Sequence, residues 1–262
     1  MDLGLTHKVA FVAASSQGLG KAAALSLAKE GVKLAICSRD VGKLNFAAEE
    51  IRTNTGAEVL PIACDVTLPE DIERAVNETL QRYGQIDILV NNAGGPPAGK
   101  ISKVTDQEWE SGFELTMMSM IRMTRAVLPS MERQKWGRVI SIVSLSAKQP
   151  IDELLISSTL RPGILGLTKV LANQYGMHGI TVNSVCPGYF LTQRQKDLGA
   201  VRSKERHISM EEYLSESAKS IPVGRLGRPE ELGDVIAFLA SERASFINGE
   251  SILVDGGQAK GV

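Results

Sequence analysis

The chain has 262 residues, a formal net charge of -1 and an ordinary share of hydrophobic residues, 43%. These values are typical of a globular protein with a sizeable core and give no indication of a nucleic-acid partner or an anionic membrane surface. The N-terminus, MDLGLTHK, lacks the basic start and apolar core of a signal peptide, and no stretch approaches the ~20 apolar residues of a membrane helix. We therefore expect a cytoplasmic protein with no nucleic-acid or membrane partner.

Apolar strand-like segments alternate with helical segments along the whole chain. Strands are predicted at 9–14, 33–37, 58–64, 86–90, 137–143, 180–185 and 251–254. Helices are predicted at 22–31, 43–53, 69–83, 108–133, 160–175 and 230–241. The near-continuous apolar strands favour a doubly wound parallel α/β sheet of about seven strands, with helices on both faces. No Pro/Gly/Ser linker divides the chain, so we predict a single domain over 1–262.

One region departs from this alternation. Residues 192–220 are polar and charged, and 207–220 have a helical pattern. An insertion before the last helix–strand unit is suited to covering a pocket at the carboxyl ends of the strands. We predict that 192–220 covers the substrate.

The first predicted strand leads into a glycine-containing turn, KVAFVAASSQGLG, at Lys8–Gly20. A helix that begins at such a turn presents unpaired N–H groups and a positive dipole, which suit a phosphate. The alternative is an ordinary strand–helix turn. We predict that a cofactor contacts the following residues of this turn: Ala14, Ser16, Gln17, Gly18, Leu19 and Gly20.

Polar residues also follow the next strands. Ser38 and Arg39 follow the second strand, and an arginine there suits a 2′-phosphate, which favours NADP(H) over NAD(H). The alternative is a solvated surface arginine. Asp65 and Val66 follow the third strand, where we expect contact with the adenine.

The cysteines and histidines give no sign of a metal site. Cys37, Cys64 and Cys186 each lie in an apolar, strand-like context, which is typical of reduced, buried thiols. No cysteine pair has the spacing of metal ligands, and the three histidines lie far apart. We predict no metal site.

Several motifs occur together in a characteristic order. They are AASSQGLG at 13–20, CDV at 64–66, NNAG at 91–94, Ser144, VNSVCPG at 182–188 with Thr192, GRLGRPEE at 224–231, and INGESILVDGG at 247–257. With them the chain resembles the short-chain dehydrogenase/reductase family from Lys8 to Gly257. Among its members, the chain is most similar to 3-oxoacyl-[acyl-carrier-protein] reductases and to sugar or alcohol dehydrogenases.

The resemblance implies a Rossmann-like fold, a nicotinamide cofactor and hydride transfer to or from a carbonyl carbon. It also implies a homotetramer or homodimer built on the two long helices near 108–133 and 160–175. Asn92, Ala93 and Gly94 would line the adenosine side of the cofactor. Pro187, Gly188 and Thr192 would hold its nicotinamide end.

The chain departs from the family at the residues that move protons. The family uses Asn, Ser, Tyr and Lys, the last two as Tyr-x-x-x-Lys. Ser144 is present, but Ser157 and Arg161 stand at the tyrosine and lysine positions, and Thr116 stands at the asparagine position. GILGLTK at 163–169 fixes this register.

These replacements change the chemistry. A serine hydroxyl is a much weaker acid than a phenol, and arginine bonds ribose hydroxyls but stays protonated. Pro162 follows Arg161, which predicts that the helix starts or kinks near Ser157–Arg161. The candidate proton donors are Ser157 through a water, Tyr189 and Lys148.

Two changes fall in the glycine-containing turn. Ala14 replaces the first glycine, which is acceptable only if its φ is negative. Gln17 stands where many NADP users carry a basic residue, so the NADP(H) prediction depends on Arg39. With Gly18 and Gly20 retained, we expect cofactor binding to survive.

The sequence supports two hypotheses about function. The first is an NAD(P)(H)-dependent oxidoreductase, similar to 3-oxoacyl reductases, with a small-molecule carbonyl or alcohol substrate and a modified site containing Ser144, Ser157, Arg161 and Tyr189. The second is a catalytically weak or inactive NADP(H)-binding regulatory or scaffold protein. We favour the first, because hydride transfer is chiefly the chemistry of the cofactor.

Overall fold

Seven parallel strands form one sheet in the computed structural model of the protein, which describes residues 1–261 apart from the side chains at 194, 198, 201 and 205. The strands are β1 (Val9–Val12), β2 (Lys33–Ser38), β3 (Val59–Ala63), β4 (Ile88–Asn91), β5 (Gly137–Ile142), β6 (Ile180–Pro187) and β7 (Ser251–Val254). The helices are α1 (Gly18–Lys29), α2 (Val41–Thr55), α3 (Pro69–Tyr83), α4 (Asp106–Phe113), α5 (Ser119–Gln134), α6 (Leu155–Tyr175), α7 (Gln193–Glu205), α8 (Met210–Lys219) and α9 (Pro229–Ala240).

The strand order is β3-β2-β1-β4-β5-β6-β7, and all neighbouring strands are parallel. The order reverses between β1 and β4, which pair through Ala10–Ile88, Phe11–Leu89 and Val12–Val90. In an open parallel sheet a crevice forms outside the carboxyl ends of the strands at such a reversal. The topology therefore places a binding crevice beyond Val12 and Asn91.

Helices cover both faces of the sheet. One buried core contains Leu27 of α1 and Ile236 of α9, and a second contains Ile72 of α3 and Val127 of α5. Strands that are buried on both faces need apolar residues at successive positions, which explains their near-continuous apolar runs. The prediction of a doubly wound, Rossmann-like α/β fold is confirmed.

The long helix predicted at 108–133 is divided. A π-helical turn at Glu114–Met118 lies between α4 and α5. Such turns insert one residue into the hydrogen-bond ladder and occur often at functional sites. The turn includes Thr116, whose side chain is buried and whose Oγ1 donates to the Gly112 carbonyl at 2.6 Å.

The next helix starts before the predicted residue 160, and just before the stretch Ser157–Arg161 where a start or kink is predicted. α6 begins at Leu155 and contains Pro162 in its interior. Pro162 cannot donate a backbone hydrogen bond to the Ser158 carbonyl, but the remaining turns continue the helix through it. Ser157 and Arg161 therefore lie on one helix, one turn apart.

The irregular region at 192–220 forms α7 and α8. The helical pattern at 207–220 agrees with α8, whose N-cap Ser209 accepts from Glu212 N. α7 was missed because its residues are mostly polar and lack helical apolar periodicity. No helix within residues 1–261 is long and apolar enough to cross a bilayer.

Candidate functional site

A cleft of about 290 Å³ lies at the carboxyl ends of β1, β2 and β4. It is lined by the following residues that the sequence predicted for cofactor binding: Ala14, Ser16, Gln17, Gly18, Leu19, Ser38, Arg39, Val66, Asn92, Ala93, Gly94 and Thr192. Four further residues line it that the sequence analysis did not select: Cys64, Gly95, Leu115 and Gln193. Cys64 and Gly95 lie beside predicted positions, but only the π-helical turn brings Leu115 to the cleft.

The N-terminus of α1 forms one wall of this cleft. Its N-cap residue, Gln17, has an extended backbone and makes no side-chain capping bond. The first N–H groups of the helix are therefore not capped by a side chain, and they suit an anionic group. Gly18 has a φ of 62°, and a Cβ there would meet no neighbour closer than 3.9 Å. The wall is therefore open to an anionic group.

Gly20 serves close packing and does not itself line the cleft. A Cβ on Gly20 would lie 2.6 Å from Asn92 Nδ2 and 2.7 Å from the Ala14 carbonyl oxygen. The same Asn92 Nδ2 donates to the carbonyl oxygens of Ala13 and Ala14, at 3.3 and 3.1 Å. Asn92 therefore ties the turn to the end of β4, and only glycine leaves room for that contact.

Ala14 adopts the conformation that the sequence analysis identified as costly. Its φ is 46°, in the left-handed region, where a Cβ is strained by about 1 kcal/mol or more. The condition of a negative φ is not met, so the replacement of the first glycine carries a local strain.

Ala14→Gly is expected to raise the free energy of unfolding by about 1 kcal/mol, because it relieves this strain. Urea unfolding of the variant and the wild type measures the change. Ala13→Gly is the matched control, since Ala13 is buried without a positive φ and its replacement should destabilise the fold. Equal destabilisation by both variants would contradict the assignment of strain to Ala14.

Polar side chains from the first two strands meet at the other end of the cleft. Ser16 Oγ lies 3.0 Å from Ser38 Oγ, and Arg39 follows Ser38 with a side chain that is 73% exposed. Arg39 Nη1 lies 3.7 Å from Asp65 Oδ2. Two hydroxyls and a guanidinium in this arrangement can donate hydrogen bonds to a phosphate.

Asp65 is engaged by its own loop. Its Oδ1 accepts from Thr67 N at 2.9 Å and from Thr67 Oγ1 at 2.7 Å. Asp65 does not line the cleft, whereas its neighbours Cys64 and Val66 do. The geometry therefore favours Val66 over the Asp65 carboxylate for contact with an adenine.

A chain of three serine hydroxyls follows β5. Ser144 Oγ accepts from Ser146 N at 3.1 Å and from Ser146 Oγ at 2.9 Å. Ser146 Oγ in turn lies 2.9 Å from Ser157 Oγ of α6. The sequence predicted Ser144 and Ser157 but not Ser146, whose place between them depends on the 3-10 turn at Leu145–Ala147.

Arg161 of α6 contacts the backbone just before this chain of serines. The residue is buried, and its Nη1 donates to the carbonyl oxygen of Val143, the residue before Ser144. It does not line the cleft. A buried guanidinium stays protonated, so a permanent positive charge lies next to the serine chain.

The residues after β6 lie partly outside the cleft. Pro187, Gly188 and Tyr189 do not line it, whereas Thr192 does. Gly188 is packed against the last loop, since a Cβ there would lie 2.7 Å from Asp255 Cβ. Tyr189 lines a neighbouring cavity of about 420 Å³ that also includes Leu145.

The two other candidate proton donors have contrasting environments. Burial raises the pKa of Tyr189 above its ordinary value, although Arg202 opposes the effect. The phenol is therefore a weaker acid than a free tyrosine. Lys148 is exposed beside the serine chain.

Within residues 1–261, no three His, Cys, Asp or Glu side chains are grouped so that they could hold a metal ion. Cys37, Cys64 and Cys186 are free and buried.

Comparison with known families gives one match over most of the chain. The family described as enoyl-(acyl carrier protein) reductase matches residues 13–259. A curated relative from Oryctolagus cuniculus, dehydrogenase/reductase SDR family member 4, is 35% identical over 254 residues, covering 97% of this chain and 94% of the relative. This chain belongs to the short-chain dehydrogenase/reductase family.

Other short-chain dehydrogenases/reductases are similar over their whole length. A putative ketoacyl reductase from Streptomyces coelicolor is 32% identical, over 95% of this chain and 96% of the relative. L-sorbose reductase from Gluconobacter frateurii, solved with NADPH and L-sorbose, has a TM-score of 0.96 at 33% identity and covers all of both chains. Actinorhodin polyketide ketoreductase with NADPH has a TM-score of 0.93 at 31% identity, over 97% of this chain and 98% of that one.

Membership in the short-chain dehydrogenase/reductase family confirms the prediction of an oxidoreductase and does not favour the alternative of an inactive binding protein. The structure places two groups of polar residues along adjacent strands of this fold. One is the cleft beyond β1, β2 and β4, and the other is the serine chain beyond β5.

Proposed function

We propose that the protein is an NADP(H)-dependent reductase or dehydrogenase of a small carbonyl or alcohol substrate, similar to 3-oxoacyl reductases, in which a serine chain replaces the tyrosine–lysine pair. The observation that carries this proposal is the continuous set of hydrogen bonds from Ser144 through Ser146 to Ser157. It lies at the end of β5, next to the strand whose end lines the cofactor cleft.

The cleft suits the cofactor. The uncapped N-terminus of α1 would hold the pyrophosphate, and Asn92, Ala93 and Gly94 would line the adenosine side. Thr192, at the entrance to α7, would meet the nicotinamide end, with Pro187 and Gly188 supporting it. When bound, the nicotinamide supplies or accepts the hydride.

Ser144 is suited to polarise the substrate carbonyl. Among the hydrogen bonds of the described residues, Ser144 Oγ acts only as an acceptor, from Ser146 N and Ser146 Oγ. Its own hydroxyl proton can therefore point to a substrate oxygen. A donor that is already oriented stabilises the negative charge that develops on that oxygen.

The serine chain provides a route for the proton. As Ser144 gives its proton to the product oxygen, Ser146 replaces it, and Ser157 replaces the proton of Ser146. A proton from solvent, carried through a water, would resupply Ser157. Because serine hydroxyls are weak acids, the transfers are coupled and no serine accumulates as an alkoxide.

Arg161 supports the site through its fixed charge. Its bond to the Val143 carbonyl positions the backbone that carries Ser144. The guanidinium would also stabilise negative charge near the reacting oxygen, whereas its burial outside the cleft does not favour the bond to the ribose that the family resemblance implies. Tyr189, whose pKa is raised by burial, would shape the substrate cavity as a neutral phenol.

We propose NADP(H) as the preferred cofactor on the strength of Ser16, Ser38 and Arg39. Arg39→Gln is expected to raise KM for NADPH by about 10-fold and to leave KM for NADH unchanged, because only the 2′-phosphate loses a cationic partner. Steady-state kinetics with both cofactors measure the change.

Lys43→Gln is the control for this variant, since Lys43 is a neighbouring exposed cation paired with Asp40. A parallel rise in both KM values after Arg39→Gln would contradict a role in recognising the 2′-phosphate.

We further propose that the protein is cytoplasmic and folds as a single domain over 1–262, in which 192–220 covers the substrate. We also propose that it assembles as a homotetramer or a homodimer. Free, buried cysteines suit a reducing compartment. Phe113 and Val170 are apolar and exposed on the two long helical segments, as an interface there requires. Sedimentation velocity tests the assembly.

The experiment that tests the function is an assay of NADPH oxidation by the purified protein with acetoacetyl thioesters, quinones, aldehydes and keto-sugars. We expect steady turnover of at least one class, dependent on Ser144. Tight NADPH binding without turnover of any class would contradict the proposal and favour a binding protein.

A further inference from the structure

A second, basic groove lies outside the cofactor cleft. It has a volume of about 840 Å³ and lies between the loop at 98–103, Glu153 and the helices α7 and α8. Four cationic side chains line it: Lys100, Lys103, Arg202 and Arg206. We call these four residues and the space between them the basic groove. It shares no lining residue with the cofactor cleft, so its charges are distinct from those suited to the cofactor phosphates.

The positive charge of the groove is local and only partly neutralised. Arg202 Nη2 pairs with Glu153 at 2.9 Å, and Arg206 Nη2 pairs with Glu216 at 2.6 Å. Lys100 and Lys103 are exposed and form no ion pair with any side chain that the structure describes. The whole chain carries a net charge of -1, so this concentration of cations does not follow from its composition.

Arg202 is held in place at the groove. Its Nη1 donates to the hydroxyl of Tyr213 at 3.3 Å, and the Tyr213 side chain is buried. Together with the Glu153 pair, this contact holds the guanidinium of a side chain that is 32% exposed. A positioned guanidinium loses less conformational entropy when it binds an oxyanion.

The groove adjoins the region of the serine chain. Glu153 lines both the groove and the 420 Å³ cavity that includes Leu145 and Tyr189, and Leu145 directly follows Ser144. The Gly99 N–H donates to the Glu153 carbonyl at 3.0 Å and joins the loop at 98–103 to this cavity wall. A substrate whose carbonyl lies at Ser144 can therefore extend past Tyr189 towards the lysines.

We infer that the basic groove binds an anionic group, a carboxylate or a phosphate, that the carbonyl substrate carries away from its reacting carbon. This inference rests on the proposed function and names its substrate class. Lysine ammonium groups and an oriented guanidinium match the charge of either anion, and a concave cationic surface also raises the rate of encounter with it. Because Glu153 lines both the groove and the cavity beside the serine chain, the groove suits an extension of a small substrate.

Matched substrate pairs test the inference. Acetoacetyl-coenzyme A and the uncharged acetoacetyl-N-acetylcysteamine test a phosphate, and oxo acids of increasing chain length with their methyl esters test a carboxylate. We expect kcat/KM to favour the charged member of at least one pair by about 10-fold or more, and that preference to fall as salt is raised. The pair that shows the preference identifies the anion.

The double variant Lys100→Gln/Lys103→Gln isolates the groove. We expect it to raise KM for the charged substrate by about 10-fold, with kcat and all constants for the uncharged substrate unchanged. Lys29→Gln is the control, because Lys29 is an exposed cation in the last turn of α1, where the chain returns to the amino ends of the strands at the start of β2. An equal effect on both members of a pair, or no preference in the wild type, would overturn the inference.

A binding measurement separates this inference from the proposed function. Calorimetric titration with inorganic phosphate in the presence of excess NADPH needs no turnover, and we expect binding to be about 10-fold weaker in the double variant. Turnover of uncharged substrates with equal phosphate binding in both proteins would overturn the groove alone. Absence of all turnover with a retained difference in phosphate binding would overturn the proposed reductase and support the groove.

Discussion

Ser144→Ala is expected to lower kcat for NADPH-dependent reduction by about 100- to 1,000-fold. The change removes the hydroxyl that can donate to the substrate oxygen and leaves Ser146 Oγ without its acceptor at 2.9 Å. Ser144 does not line the cofactor cleft, so KM for NADPH and the dissociation constant of NADPH should stay near the wild-type values. Steady-state kinetics and a fluorescence titration of NADPH measure the two effects separately.

Ser111→Ala is the matched control for that variant. Ser111 is an exposed residue of α4, and its loss should leave both kcat and cofactor binding unchanged. A Ser144→Ala protein with wild-type kcat would contradict the role of the serine chain, whereas a parallel loss of NADPH affinity would indicate a structural defect.

The sequence predicts the fold well because both of its main signals are local. Apolar runs of strand length and glycine-ended helical segments alternate, and parallel pairing then follows from the connections. The start of α6 was predicted too late because a helix-interior proline is a local signal that the packing of the later turns overrides. α7 was missed because its residues are mostly polar, so the sequence has no apolar periodicity there.

The residues of the candidate site also fall into those with a local sequence signal and those placed by tertiary contacts. Residues that follow the strands, such as Gly18, Arg39 and Asn92, could be predicted because the carboxyl ends of all strands in a parallel sheet lie on the same side. Ser146 and Leu115 could not, since each depends on a turn whose form is set by tertiary contacts, a 3-10 turn after Ser144 and a π-helical turn before α5.

Ser157→Tyr combined with Arg161→Lys is expected to raise kcat by about 10- to 100-fold over the wild type. The two positions lie one turn apart on α6, so the new ammonium group would lie near the phenol and lower its pKa from a reference of about 10. A phenol near that range is a far better proton donor than a serine hydroxyl.

The pH dependence of the double variant distinguishes this effect from a change in packing. Reduction requires the protonated phenol, so kcat should fall as the pH rises through the lowered pKa of the new tyrosine. The wild type should lack that decline, because a serine chain has no group that titrates there. The companion variant Ser157→Phe with Arg161→Lys fills the same space without a hydroxyl and should stay slower than either protein.

Two outcomes would contradict the expectation with equal clarity. A double variant no faster than its phenylalanine companion would mean that position 157 does not face the reacting oxygen. A slower double variant with an intact fold and unchanged NADPH affinity would mean that the new phenol does not reach the reacting oxygen, and that loss of the bond between Ser146 and Ser157 interrupts the proton route. An increase in kcat with a new alkaline limit would instead mean that the framework still positions a phenol, and that this chain carries out its chemistry by a substituted proton donor.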